Sequence, residues 1–101
     1  MTRRLGIAPV ARAEIVGIWN HTAAEYGIEA ADDYVADLDT VMLRLLDYPK
    51  LGEDCTHIRK GYRRIRARSH VIYYVPHKGG IEIMRVLGDR MDALTRLRGE
   101  R

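Results

Sequence analysis

The period of the apolar positions changes along the chain and divides it into elements. Leu5-Gly6-Ile7-Ala8 is a short apolar run ending at Pro9 and predicts a first strand. Pro9 fits the first position of a helix, where its missing N–H costs nothing. From there Ala11, Ile15, Ile18, Trp19, Thr22 and Tyr26 recur at helical spacing and make one face, with Trp19 read as core. Gly27 supplies a left-handed cap, and Ile28 is the apolar residue expected to pack back on the closing turn. A second helix begins almost at once. Glu29, Asp32 and Asp33 lie near its start, where acids favour the positive end of the helix dipole. Its stripe is Ala31, Val35, Leu38, Met42 and Leu45, widened by Tyr34, Val41 and Tyr48, and Pro49 ends it. Two amphipathic helices with so short a break make a helical hairpin.

Residues 50–60 have no clean period and read as a loop. The period then changes to two. Residues 62–68 (Tyr-Arg-Arg-Ile-Arg-Ala-Arg) form a polar, half-exposed strand, and residues 70–75 (His-Val-Ile-Tyr-Tyr-Val) are apolar on both faces, as in a central strand. Pro76-His77-Lys78-Gly79-Gly80 reads as a turn. Residues 81–87 form the next strand, broken at Gly88, and Asp89 is placed to cap a last short helix through Met91, Leu94 and Leu97. The order is β-α-α-β-β-β-α. Strands segregate from the hairpin, which is the α+β arrangement of a sheet with helices packed on one face.

A chain of 101 residues suits one domain, spanning 1–101. With 47% hydrophobic and 31% charged residues it has a globular composition, which excludes a disordered chain. The single cysteine, Cys55, excludes an intramolecular disulfide and paired-cysteine zinc sites. No apolar run approaches the ~20 residues of a membrane helix, and the two arginines at the start precede no signal-peptide core. The expectation is a cytoplasmic protein without a membrane partner. Net charge is +3 but unevenly spread. Residues 1–50 hold five Lys/Arg and eight Asp/Glu, whereas residues 51–101 hold twelve and six. The basic character peaks at Arg59, Lys60, Arg63, Arg64, Arg66 and Arg68, which points to an anionic partner, nucleic acid or acidic protein.

Four stretches in order carry a family resemblance. They are the opening helix with Trp19 and Tyr26-Gly27, then Leu46-Asp47-Tyr48-Pro49-Lys50-Leu51-Gly52. Next come Tyr62-Arg63-Arg64 with residues 69–74, and last Ile83-Met84-Arg85-Val86-Leu87 with Arg90-Met91-Asp92 behind it. Together they resemble the ParE branch of the RelE/ParE superfamily, the toxin halves of type II toxin–antitoxin modules. The resemblance implies a small, mainly antiparallel sheet on a helical hairpin with a short C-terminal helix. It also implies a toxin held in a hetero-oligomer by a cognate ParD-like antitoxin. In ParE relatives the implied target is DNA gyrase, blocked by protein contact so that replication stops. In RelE relatives the implied activity is ribosome-dependent cleavage of messenger RNA. Fold does not choose between them.

RNA cleavage through the 2′-hydroxyl needs a base, an acid and cations around the phosphate. Cations are plentiful: Arg63, Arg64, Arg66, Arg68, Arg85 and Arg90. Matched to the nuclease relatives, Arg64 and Arg90 lie near basic positions they use. Val71 replaces a basic residue, and Gly88 stands where many carry histidine. No tyrosine follows Tyr74 and no histidine follows His77, which leaves His70 as the candidate base of a nuclease. Arginine, with a pKa above ~12, is a poor substitute. His70 otherwise makes a structural hydrogen bond. His21 and His77 read as surface residues, His57 as a loop residue, and Cys55 as an inert thiol. No histidine spacing fits a metal, so no metal and no cofactor are expected. Period two puts Tyr62, Arg64, Arg66 and Arg68 on one face and Arg63, Ile65 and Ala67 on the other. That basic face is either a solvated edge that resists aggregation or a groove for an acidic antitoxin tail. Arg63, Arg64, Arg66, Arg68, Arg85 and Arg90 are the candidate antitoxin- or target-binding residues. The chain has no recognisable motif for sequence-specific DNA binding. Its reading is therefore a gyrase-inhibiting toxin rather than an enzyme, with the nuclease as the alternative, and a non-toxic binding module that keeps only the fold as a third possibility.

Overall fold

The computed structural model describes residues 3–91 and 93–98; Asp92, used in the family resemblance, lies outside them. Strand β1 (Arg4–Ile7) leads through Ala8 into helix α1 (Pro9–Tyr26), with Pro9 in the first turn as its fixed φ favours. One residue joins α1 to α2 (Ile28–Asp47). Gly27 has φ 98°, its N–H closes on the Ala23 carbonyl at 2.9 Å, and its carbonyl accepts the Ala31 N–H at 3.1 Å. A side chain rarely adopts that φ, so glycine makes the sharp reversal possible. Ile28 opens α2 and is 64% exposed, so it does not pack back on the turn. Trp19 is half-buried rather than core: its indole N–H donates to the Asp32 carboxylate at 2.9 Å and clasps the two helices together. Helix α2 stops where Tyr48, ahead of Pro49, leaves helical geometry at φ −131°.

The remaining strands are β2 (Glu53–Asp54), β3 (Arg63–Ala67), β4 (His70–His77) and β5 (Gly80–Gly88), followed by helix α3 (Ala93–Arg98). They form a five-stranded sheet in the order β1-β5-β4-β3-β2. Among the described residues only the β1–β5 pair is parallel. Three details differ from the expected layout. Residues 50–60 are not wholly loop, because Glu53 and Asp54 pair with Arg64 and Arg63. Two isolated pairs leave no readable period. Pro76 lies within β4, opposite Ile81, instead of in the turn. It is tolerated because β3 reaches only Tyr74, so the end of β4 is an edge that needs no N–H on that side. The last helix begins at Ala93, and Asp89 does not cap it; its carboxylate accepts from Arg66 at 2.6 Å.

The sheet has two buried faces. Leu38, Met42 and Leu45 of the hairpin pack with Ile72, Tyr74, Ile81 and Ile83, all fully buried. Each contributes about 1.5–3 kcal/mol by leaving water. The other face carries a smaller cluster of Cys55, Tyr62, Tyr73, Leu87 and Leu97, over which α3 folds. Consecutive tyrosines thus serve opposite faces. A register shift at this point pairs Tyr73 with Arg85 and Tyr74 with Ile83. Arg59 donates to the Leu97 carbonyl at 2.7 Å and ties α3 down.

β1 ends at Ile7, so β5 loses its neighbour beyond Ile83. Glu14, from the first turns of α1, takes over. Its Oε1 accepts the Val86 backbone N–H at 2.8 Å, and its Oε2 accepts the Nη2 and Nε of Arg85 at 2.6 and 3.0 Å. Arg85 is only 8% exposed and also reaches the Arg96 carbonyl at 3.5 Å. It joins α1, β5 and α3, so its guanidinium is committed inside the protein. A second joint ties α2 to β4. The Tyr34 hydroxyl lies 2.6 Å from Nδ1 of His70 and 2.9 Å from Oγ of Ser69, and accepts the Ser69 N–H at 3.2 Å.

Replacing Glu14 by alanine strands the buried Arg85 guanidinium and the Val86 N–H together. The expected cost is about 2–4 kcal/mol, measured as a lowered urea midpoint; a loss below about 1 kcal/mol would contradict the role given to Glu14. Burial holds His70 below its ordinary value of 6.5, against the opposing pull of Asp89 and Glu14. The folded state therefore binds this proton less readily than the unfolded chain. The contribution is complete above pH 6.5 and is lost as pH falls through the lower folded value. The urea midpoint is expected to drop between pH 7.5 and pH 5, and His70→Gln to flatten that drop; an unchanged slope in the variant would contradict it.

Candidate functional site

Alternation along β3 turns Tyr62, Arg64 and Arg66 to the face away from the hairpin, as their period predicts. Cross-strand pairing sets Arg64 beside Tyr73 and Arg66 beside Val71. These four side chains, with Glu53 and Asp89, line an open cavity of about 440 Å³. It lies between β2, the free end of β3 and the turn that follows β5.

The cavity is charged but internally balanced. Arg64 Nε donates to Glu53 Oε1 at 2.8 Å, and Arg66 Nη2 to Asp89 Oδ2 at 2.6 Å. The Glu53 carboxylate, and to a lesser degree the neighbouring Tyr73 hydroxyl, raise the already high pKa of Arg64 against the opposing effect of burial. Burial pushes the Tyr73 phenol up, while Arg64 pulls it back down. Charge-assisted bonds of this length are the stronger kind, although the exposed parts of both pairs are screened by water.

The other basic residues separate from this pair. Arg63 turns to the opposite side and staples the chain around β2: its Nε donates to the Gly52 carbonyl at 3.0 Å and its Nη2 to the Lys50 carbonyl at 3.2 Å. Gly52 has no room for a side chain there, since a Cβ would fall 2.7 Å from the Arg64 carbonyl. Arg68 was expected on the Arg64 face. At φ 56° it sits instead in the tight turn between β3 and β4, bonds Asp37 of α2 at 2.6 Å, and lies 4.9 Å from the Tyr34 ring centre. A left-handed residue ends the alternation, which is why period two misplaces it. Arg90 is exposed in the turn after β5. Arg63, Arg68 and Arg85 thus have structural duties, while Arg64 and Arg66 share a site.

His70 does not join them. It lines a separate apolar groove of about 280 Å³ against α1, and its Nδ1 is engaged by Tyr34. Arg64 and His70 therefore do not form one catalytic set. Among the described residues no histidine lines the arginine cavity. Sequence reasoning missed Glu53, Asp89 and Tyr73 as site residues. Tyr73 could have been found from the register of a tight β3–β4 turn; Glu53 could not, since it rests on a two-residue strand. The carboxylates also mean that groups able to accept a proton are present beside the arginines, although each is already paired. Cys55 is buried, which pushes its thiol up and keeps it unreactive.

Comparison with known proteins agrees with this architecture. The model of the family described as "ParE toxin of type II toxin-antitoxin system, parDE" matches residues 5–93. "Toxin ParE1" of Mycobacterium tuberculosis is 37% identical over 93 residues, covering 91% of this chain and 95% of the relative. "Toxin ParE1" of Caulobacter vibrioides is 34% identical over 89 residues, covering 86% and 90%. A solved structure described as "Chromosomal ParDE TA system from P. aeruginosa" superposes with a TM-score of 0.74 over 86% of this chain and 96% of that one, at 19% identity, and so shares the fold. On the extent of these matches, the chain belongs to the ParE toxin family of type II toxin–antitoxin systems.

Proposed function

We propose that the protein inhibits DNA gyrase by binding it in the cytoplasm, without catalysis of its own, and that a ParD-like antitoxin neutralises it. The antitoxin's acidic segment lies across Arg64 and Arg66. The observation that carries this reading is the charge state of the cleft. Arg64 and Arg66 are each engaged by a carboxylate at 2.6–2.8 Å. A phosphoryl transition state needs cations aimed at its oxygens before it forms, and guanidiniums already neutralised serve that role poorly. A protein partner tolerates such pairs, because carboxylates exchange for carboxylates along an interface. Arg90, exposed beside the cleft, extends the contact.

A nuclease reading retains one specific support. Glu53, Asp89 and Tyr73 stand within the arginine cavity, so a base and a phenol are at hand. Both carboxylates are engaged by arginines, and the Tyr73 phenol is held up by burial, away from neutral proton transfer.

Purified protein is expected to suppress negative supercoiling by gyrase at near-stoichiometric ratio; full gyrase activity at large excess would remove the target from this account. Growth arrest on induction is expected to survive His70→Ala. Loss of arrest together with loss of message cleavage would favour the nuclease. R64Q/R66Q is expected to weaken the antitoxin complex by at least about tenfold in calorimetry. Unchanged affinity would move the antitoxin onto the helical hairpin.

A further inference from the structure

We infer that the cleft beside β3 is an exchange site for an extended acidic peptide, occupied in the free protein by Glu53 and Asp89 acting as stand-ins for the partner's own carboxylates. The inference rests on the antitoxin reading above and specifies how the segment is recognised.

Three observations converge. First, the geometry of the bound state is already displayed: Arg64 holds one carboxylate oxygen at 2.8 Å and Arg66 holds another at 2.6 Å. The two internal acids are held differently. Glu53 sits on a two-residue strand with its side chain 66% exposed, whereas Asp89, in the turn after β5, has its side chain 21% exposed and its N–H donates to the Ser69 carbonyl at 2.9 Å, so Glu53 is the readier to leave. Second, the sheet edge is open. β2 pairs only with Arg63 and Arg64, so among the described residues 65–67 of β3 have no strand on that side. An extended segment that displaces the two-residue β2 could pair along β3 past Arg64 and Arg66, taking its affinity from backbone hydrogen bonds and its specificity from side chains. Third, the spacing matches. Arg64 and Arg66 are two residues apart on one strand face, about 6.6 Å along the strand. An added strand repeats the same interval, so its carboxylates belong at alternate positions. A phosphodiester chain has no such ladder to join, and the favoured occupant is a peptide.

The exchange explains why a cleft with two arginines need not attract nucleic acid indiscriminately. Each internal acid sets a threshold that a partner passes only by offering carboxylate and backbone together.

The test measures binding of a fluorescent peptide, Thr-Glu-Thr-Glu-Thr-Glu, to the full chain by anisotropy at low salt. An isomer with its three glutamates contiguous and a uridine hexanucleotide serve as comparisons. E53Q/D89N frees both arginines and is expected to bind the alternating peptide about three- to tenfold more tightly than the unsubstituted protein. E53Q alone is expected to give part of that gain, and stands in if Asp89→Asn disturbs folding. The contiguous isomer is expected to bind less well to both. Unchanged affinity in E53Q and E53Q/D89N, or equal binding of the two peptides, would overturn the exchange. So would a gain for the RNA hexamer without one for the peptide. If R64Q/R66Q weakens the antitoxin complex while E53Q/D89N leaves peptide affinity unchanged, the antitoxin reading stands and the exchange falls. If R64Q/R66Q spares the antitoxin complex, the antitoxin reading falls, and the peptide titration judges the exchange on its own.

Discussion

One carboxylate holds the architecture together. The sheet's single parallel pair ends at Ile7, because the chain must turn at Pro9 to begin α1. Beyond that point β5 would be left with an open edge and a buried guanidinium. Glu14 answers both needs with its two oxygens, one on the Val86 N–H and one on Arg85. A side chain here does the work of a missing strand, and it does so inside the protein, where an unmatched donor or charge costs several kcal/mol (about 2–5). Arg85, fixed this way, reaches on to the Arg96 carbonyl and helps seat α3.

The cleft depends on that arrangement indirectly. Because the hairpin covers one sheet face, the alternating arginines of β3 are left to the other, under the start of α3 and the turn after β5. The short β2 exists because Gly52 and Arg63 bend the chain back against β3: Arg63 donates to two carbonyls of the bend, and Gly52 passes too close to the Tyr74 hydroxyl and the Arg64 carbonyl for any side chain. The same bend delivers Glu53 to Arg64 and stops the strand early, so the charge pairing and the open edge have one cause. The protein carries a net charge of +3, but its cleft is a set of compensated pairs rather than a bare basic patch.

Much of this was legible in the residues. Pro9, Gly27 and Pro49 mark true boundaries, because each acts through its own backbone geometry whatever surrounds it. The face assignment of Arg64 and Arg66 against Ile65 and Ala67 also followed from alternation alone. Arg68 and Pro76 did not, since one depends on a left-handed turn and the other on where a neighbouring strand ends. Trp19 looked like core because helical spacing cannot reveal that Asp32 of the next helix waits for its N–H. Arg85 looked like a binding residue because its partner is 71 positions away. Ion pairs between distant segments are the part of a site that periodicity does not encode, and here they separate Arg64 and Arg66 in the cleft from Arg68 and Arg85, which tie elements together.

The central claim is that Arg64 and Arg66 serve protein carboxylates rather than RNA phosphates. Nitrogen-15 spectra of the arginine Nε–H groups test it at the atoms concerned. On titration with the acidic segment of the cognate antitoxin, the Arg64 and Arg66 signals are expected to shift together and saturate. A ribosomal-site messenger fragment at the same concentration should leave them in place. Shifts of both signals with the RNA, and none with the antitoxin segment, would contradict the account.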